Sequence, residues 1–223
     1  MTGSGAASFA GADTIGSMVR AAGLILAAGT ATRFGADKLL AELDGRPMLQ
    51  HVLDLAATTG LRPVAIVVGR DAAAIEAACT WRNEIRIVNG RPDEGISGSV
   101  RLGLARLEEA AARRALVLLG DQPRLTANQV KRLLAAPLDA ARPIVVPRFD
   151  GVPGSPVLLE RAAWPLARDL TGDRGMSQLF ASRPEMVRYV DIEGTNPDVD
   201  TPADLENRRS VRRDGRRTRH PRL

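Results

Sequence analysis

At 223 residues and 44% hydrophobic, the chain can form one domain with a substantial core, but only 3% is aromatic, so Ala, Leu and Val must fill that core. No apolar run approaches the roughly 18–20 residues that a membrane-spanning helix needs, and one cysteine, Cys79, excludes an internal disulfide. The formal charge of +5 is a property of the end of the chain: residues 208–223 hold eight arginines against one aspartate, which leaves the rest slightly acidic. A folded nucleic-acid binder carries its basic stripe and stacking aromatics within the domain, and this one does not. Residues 1–17 lack the basic and long apolar regions of a secretion signal. These features predict a cytoplasmic protein with no membrane and no nucleic-acid partner for its domain. Residues 1–18 read as a flexible extension, 19–207 as the domain and 208–223 as a disordered arginine-rich tail.

In chain order, residues 19–26 form a short apolar run ending at Ala27-Ala28-Gly29. Residues 47–59 have helical spacing, with Leu49, Val52, Leu53 and Ala56 on one face and Pro47 suited to the first turn. Residues 62–68 are a β-branched strand, 71–80 a helix capped by Asp71 with Cys79 as a small buried apolar side chain, and 85–88 a short strand. A helix over 97–112 precedes an apolar strand at 115–119, a helix at 127–135 and a strand at 143–146. Such alternation predicts a mostly parallel sheet covered on both faces. Residues 148–156, rich in Gly and Pro, read as a loop. Beyond them come a strand near 156–159, short helices at 160–169 and 175–182, and a late strand at 186–190.

Four stretches have the residue types that chemistry needs. In residues 24–38 a buried strand runs into small residues, followed by Arg33, Gly35 and Lys38. Small residues let backbone N–H groups approach phosphate oxygens, and the two cations reach the same anion from beyond the loop. It is not a Walker A loop, since five residues separate Gly29 from Gly35 and Leu39 follows Lys38; the dinucleotide fingerprint is also missing. In the second stretch, four aliphatic residues deliver Gly120 and Asp121 to the sheet's carboxyl edge, where a carboxylate can hold Mg²⁺. In the third, Asp200 precedes Thr201 and Pro202, the cap and first position of a final helix, and is a candidate second metal ligand. The fourth combines Asn89-Gly90 with Gly95-Ile96-Ser97-Gly98-Ser99, a helix start suited to a base, ribose or phosphate, where Ser97 reads equally as an N-cap.

Taken in order, Leu26-Ala27-Ala28-Gly29, Arg33-Phe34-Gly35, Lys38-Leu39-Leu40, Gly120-Asp121-Gln122-Pro123, Gly154-Ser155-Pro156, Gly172-Asp173-Arg174-Gly175 and Asp198-Val199-Asp200-Thr201-Pro202 resemble the MobA-like NTP transferases. Within them the chain is most similar to the molybdenum cofactor cytidylyltransferase branch. The resemblance implies a Rossmann-like nucleotidyltransferase fold, a three-layer α/β/α arrangement with a mostly parallel, mixed sheet. It implies Mg²⁺-dependent transfer of CMP from CTP to the terminal phosphate of molybdopterin cofactor, with release of pyrophosphate. It places Leu26, Ala27, Ala28, Gly29, Asn89, Ser99 and Gly120 against the nucleotide, Arg33 and Lys38 on its phosphates, and Asp121 and Asp200 on Mg²⁺. Catalysis would fall to Arg33, Lys38 and Asp121, acceptor binding to Gly154, Pro156, Asp173 and Gly175, and a molybdoenzyme or its chaperone would be a further partner. Ser155 and Ser177 depart from the family, which often has His and Arg there. Transfer to a sugar or polyol phosphate, and a non-catalytic nucleotide-binding maturation protein, are therefore alternatives.

Overall fold

The computed structural model describes residues 20–29, 38–137 and 139–199. Arg33, Asp200, the N-terminal extension and the arginine-rich tail lie outside the described residues. In chain order the strands are β1 (Ala22–Ala27), β2 (Glu42–Leu43), β3 (Arg46–Pro47), β4 (Val64–Val68), β5 (Ile85–Val88), β6 (Arg114–Leu119), β7 (Ile144–Phe149), β8 (Val152–Pro153), β9 (Val157–Glu160) and β10 (Val187–Ile192). The α-helices are α1 (Met48–Thr58), α2 (Ala72–Ala78), α3 (Ile96–Glu109), α4 (Ala127–Leu134) and α5 (Gly175–Ser182).

All six residues of β1 are buried. Side chains alternate across a strand, so Ala22, Leu24 and Leu26 enter one hydrophobic cluster while Ile25 and Ala27 enter the other. β6 divides in the same way, with Ala115 and Val117 on the first side and Leu116 and Leu118 on the second. Strands that are apolar on both faces belong in the middle of a covered parallel sheet. The sheet order is β10-β7-β9-β6-β1-β4-β5, with β8 paired to β7. β1 is parallel to both β4 and β6, and β9 runs antiparallel to β6 and β7. Buried residues of α1, α2 and α4 cover one face; those of α3, α5 and the 3-10 segment Arg161–Asp169 cover the other. This is the expected three-layer Rossmann-like nucleotidyltransferase fold, with a mixed but mostly parallel sheet.

Some local expectations need correction. Residues 148–156 are not one loop: β7 continues through Phe149, and Asp150 and Gly151, at φ 50° and 81°, turn the chain back into β8. Two successive positive φ values suit the twist of a tight hairpin. The 160–169 segment is a 3-10 helix, interrupted internally by Pro165. α3 is capped by Gly95, not Ser97, and Asp71 occupies the N-cap of α2 without a side-chain capping bond. Cys79 is buried in the cluster beneath α1 and α2, as expected of a small apolar side chain. Among the described residues, no helix is long and apolar enough to cross a membrane.

α3 lies against the sheet centre through Gly103, where a Cβ would overlap Leu24 Cδ1 and stand 2.8 Å from Leu24 Cδ2. Leu24 is fully buried, so it has no space to yield. Gly103→Ala is expected to lower stability by about 1–3 kcal/mol, read as a drop in urea midpoint at unchanged m-value. An unchanged midpoint would mean that α3 does not seat on β1 in this way.

Candidate functional site

β1 and β6 are adjacent and parallel, so their carboxyl ends open side by side. Leu26 stands opposite Leu119, and the Gly120 N–H donates to the Leu26 carbonyl at 2.9 Å, extending the pairing one residue past β6. Succession along the chain runs outward from β1 to β4 and β5, then crosses back to β6 on the other side. Such a reversal leaves a crevice at the strand ends. A cavity of about 430 Å³ opens there, walled by Ala27, Ala28 and Gly29 at the end of β1, by Lys38 and Asp121, and by Gly95, Ile96 and Ser99 at the start of α3.

Lys38 Nζ donates to Asp121 Oδ2 at 2.9 Å. The lysine side chain is only 12% exposed and the aspartate 27%, so this charge pair is largely withdrawn from water. An ammonium in such a position needs an anionic partner, because removing one member leaves the other charge unpaired. Leu39 next to it is buried in the cluster beneath α1, which anchors the one-turn 3-10 helix Lys38–Leu40. Gly120 leaves room for that anchor: a Cβ there would meet Leu39 Cδ2 at 3.3 Å.

The opposite wall begins where α3 begins. α3 has no side-chain capping bond at its N-terminus, and its first turn is open to the cavity at Gly95, Ile96 and Ser99. Ser99 is buried, and its hydroxyl accepts from Asn89 Nδ2 at 3.1 Å. Asn89 Oδ1 accepts from the Arg91 N–H at 2.8 Å, so this side chain holds the turn that leads to Pro92, another cavity residue. Gly95 has φ +85°, and a Cβ there would overlap the Gly172 carbonyl carbon and lie 2.7 Å from Asp173 Oδ1. The 172–175 turn is thus pressed on the α3 start, which brings Asp173 to the cavity edge.

The structure brings together Leu26, Ala27, Ala28, Gly29, Lys38, Ser99, Asp121 and Asp173 around one cavity. Asn89, Gly120, Gly154, Pro156 and Gly175 are not among its lining residues. Asn89 stands behind Ser99, and Gly120 is drawn into the β1–β6 pairing. Gly154 is bonded back to the Pro147 carbonyl, Pro156 is buried at the foot of β9, and Gly175 packs against Ile96. Sequence reasoning missed Pro92 and Asp198 as lining residues. Asp198 sits in the Asp-x-Asp pattern that the sequence reading enters only through Asp200, and it is exposed beside the fully buried Val199. Among the described residues, no three His, Cys, Asp or Glu side chains converge as a metal cage.

The family model for the MobA-like NTP transferase domain matches residues 23–187. Bifunctional protein GlmU of Sinorhizobium fredii is 38% identical over 122 residues, covering 53% of this chain and 25% of that protein. The chain therefore spans about a quarter of the length of this curated relative. Among solved structures, Rv0371c from Mycobacterium tuberculosis H37Rv superimposes with a TM-score of 0.76 at 29% identity, covering 86% of this chain and 98% of that one. A structure of Rv0371c in complex with manganese gives a TM-score of 0.72 at 29% identity, covering 84% and 97%.

The seating of Gly95 is open to a paired test. Gly95→Ala meets both a positive φ and the 172–175 turn, and is expected to cost roughly 1–3 kcal/mol. Gly98→Ala, where a Cβ finds only contacts of 3.7 Å or more, is expected to stabilise α3 slightly. Equal effects in chemical unfolding would contradict the crowding described at Gly95.

Proposed function

The chain belongs to the MobA-like NTP transferase family, and we propose that it transfers a nucleotidyl group from a nucleoside triphosphate to a phosphorylated small molecule. The observation that carries this reading is the Lys38–Asp121 pair at the paired ends of β1 and β6, facing an α3 N-terminus without a side-chain cap. A triphosphate brings roughly four negative charges, for which Lys38, the backbone of Ala27–Gly29 and the positive end of α3 are complementary. Arg33, outside the described residues, would add a second cation. In this reading the transferase domain is residues 19–207, between an extension and an arginine-rich tail.

The residues fit a divalent cation. Asp121 and Asp198 offer hard oxygen donors to one cavity, and Mg²⁺ is commonly held by one or two carboxylates plus substrate phosphates. The manganese complex of Rv0371c supports the same assignment. Asp121 and Asp198 would hold the ion, with Asp200 as a further ligand from outside the described residues; once bound, it supplies charge neutralisation on the triphosphate. Lys38 holds the phosphates and the developing charge. An oxygen of the acceptor's phosphate attacks the α-phosphorus in line; the new P–O bond forms as the bond to pyrophosphate breaks. A phosphate monoester has its second pKa near 6, so at neutral pH the attacking oxygen already carries charge and no general base is required. His51 fits this economy, since its Nε2 is taken by the Leu43 carbonyl at 2.8 Å.

CTP is the nucleotide the Leu26-Ala27-Ala28-Gly29 loop favours by its resemblance to the cytidylyltransferase branch, and molybdopterin the acceptor that follows, with a molybdoenzyme or its chaperone downstream. A sugar or polyol phosphate is the second reading of the acceptor. It is favoured by the observation that, of the acceptor residues inferred by resemblance, only Asp173 lines the cavity.

Thermal shift with CTP, GTP, ATP and UTP, each with Mg²⁺ or Mn²⁺, tests binding; a nucleotide at a hundredfold excess over its Kd adds about 2.7 kcal/mol to apparent stability. Pyrophosphate release against molybdopterin and a panel of sugar and polyol phosphates tests transfer. Lys38→Met and Asp121→Asn are each expected to lower turnover about 10²–10³-fold. Full turnover in both variants would remove the assignment, and binding without pyrophosphate release from any acceptor would point to a non-catalytic protein.

A further inference from the structure

Behind Asp198 runs a line of side-chain amides. Gln122 Nε2 donates to Asp198 Oδ1 at 2.7 Å, and Gln122 Oε1 accepts from Asn196 Nδ2 at 2.9 Å. The same Asn196 Nδ2 donates to the Ser155 carbonyl at 3.0 Å. Gln122 is 6% exposed, so its amide is committed to these partners.

The direction of this line is set from both ends. The Ser155 carbonyl can only accept, so Asn196 must turn its NH₂ toward it. Gln122 must then meet that NH₂ with its carbonyl oxygen, which directs its own NH₂ to Asp198. Asp198, a carboxylate, accepts. Turning the Gln122 amide over would set oxygen against oxygen at Asp198 and N–H against N–H at Asn196. The same segment is also fixed through the main chain, where the Val199 N–H donates to the Asp121 carbonyl at 3.2 Å.

We infer that Gln122 is a positioning residue that orients the Asp198 carboxylate at the cavity and, through Asn196, ties that orientation to the Ser155 segment. The inference rests on the proposed transferase reading, in which Asp198 is one of the carboxylates for a divalent cation. A donated N–H bond stabilises the ionised carboxylate and fixes its plane, and groups that orient metal ligands in this way set the affinity of the site. The sequence of the Gly120-Asp121-Gln122-Pro123 turn thereby serves the site twice: Asp121 faces the cavity, and the next residue aims a carboxylate 76 positions further on.

The test is Mn²⁺ titration of the full chain with CTP, followed by the paramagnetic resonance signal of the free ion. Gln122→Met is expected to weaken Mn²⁺ binding by about tenfold while leaving the melting temperature of the nucleotide-free chain close to wild type. Asp198→Asn also weakens it, and the double variant is expected to be no weaker than Asp198→Asn alone, because Gln122 acts through Asp198. Asn196→Ala, one step further back, gives a smaller loss in the same direction, and it replaces Gln122→Met in the cycle if that variant fails to fold. Wild-type Mn²⁺ affinity in Gln122→Met, or losses that multiply in the double variant, would overturn the inference alone. A wild-type chain that takes up no Mn²⁺ with any of the four nucleotides would overturn the transferase reading, and the inference with it.

Discussion

The parallel pairing of β1 with β6 is the constraint from which the cleft takes its form. Each strand is apolar on both faces, so neither is stable except in the middle of a covered sheet, and the sheet places them together. Their carboxyl ends then open at the same level, with Leu26 opposite Leu119 and the Gly120 N–H on the Leu26 carbonyl. Lys38, which follows one strand in the chain, and the carboxylate after the other meet at these paired ends. The Lys38–Asp121 pair at 2.9 Å is a consequence of sheet order, reached across 83 positions of sequence.

That pair also sets the electrostatics of the cleft. A lysine this withdrawn from solvent and an aspartate partly so satisfy one another in the absence of substrate. In the proposed transferase reading, a triphosphate would offer Lys38 a better anion, and a divalent cation would offer Asp121 a better counter-charge. Either one arriving alone would compete with the pair, whereas the two together would give each member of the pair a new counter-charge. In that reading, nucleotide and metal binding would thereby be coupled through the same two side chains.

Sequence alone made this half of the cleft legible for a physical reason. Short runs apolar on both faces admit few interpretations, and a lone carboxylate at the end of one is conspicuous. The α3 start was less legible. Serine is a frequent helix cap, which favoured Ser97, but Gly95 takes that position because the 172–175 turn leaves no room for a Cβ, a fact about a contact 77 residues away in sequence. The β7–β8 hairpin was hidden by Pro147, Pro153 and Gly154, residues that argue against strand. Pro147 lacks an N–H but keeps its carbonyl, which takes the Gly154 N–H across the hairpin. Asp200 is the carboxylate the sequence favours because it stands next to the Thr201-Pro202 helix start, whereas Asp198 is marked by an amide from Gln122, 76 positions earlier in the chain.

The two halves of the cleft are therefore made differently. Around Ala27–Gly29 and Asp121 the positions come from strand ends, which change only if the core changes. Around Asp173 and Asp198 they come from crowding and side-chain hydrogen bonds between turns that are distant in sequence, with the 154–156 turn bracing Asn196 from behind. Such a wall can be altered without disturbing the sheet. Ser155 illustrates the point. Its contact with Asn196 is made by its carbonyl oxygen, which every residue possesses. The link from that turn to Asp198 thus does not depend on which side chain stands at 155. A change of side chain there would therefore leave the amide link from Asn196 through Gln122 to Asp198 in place.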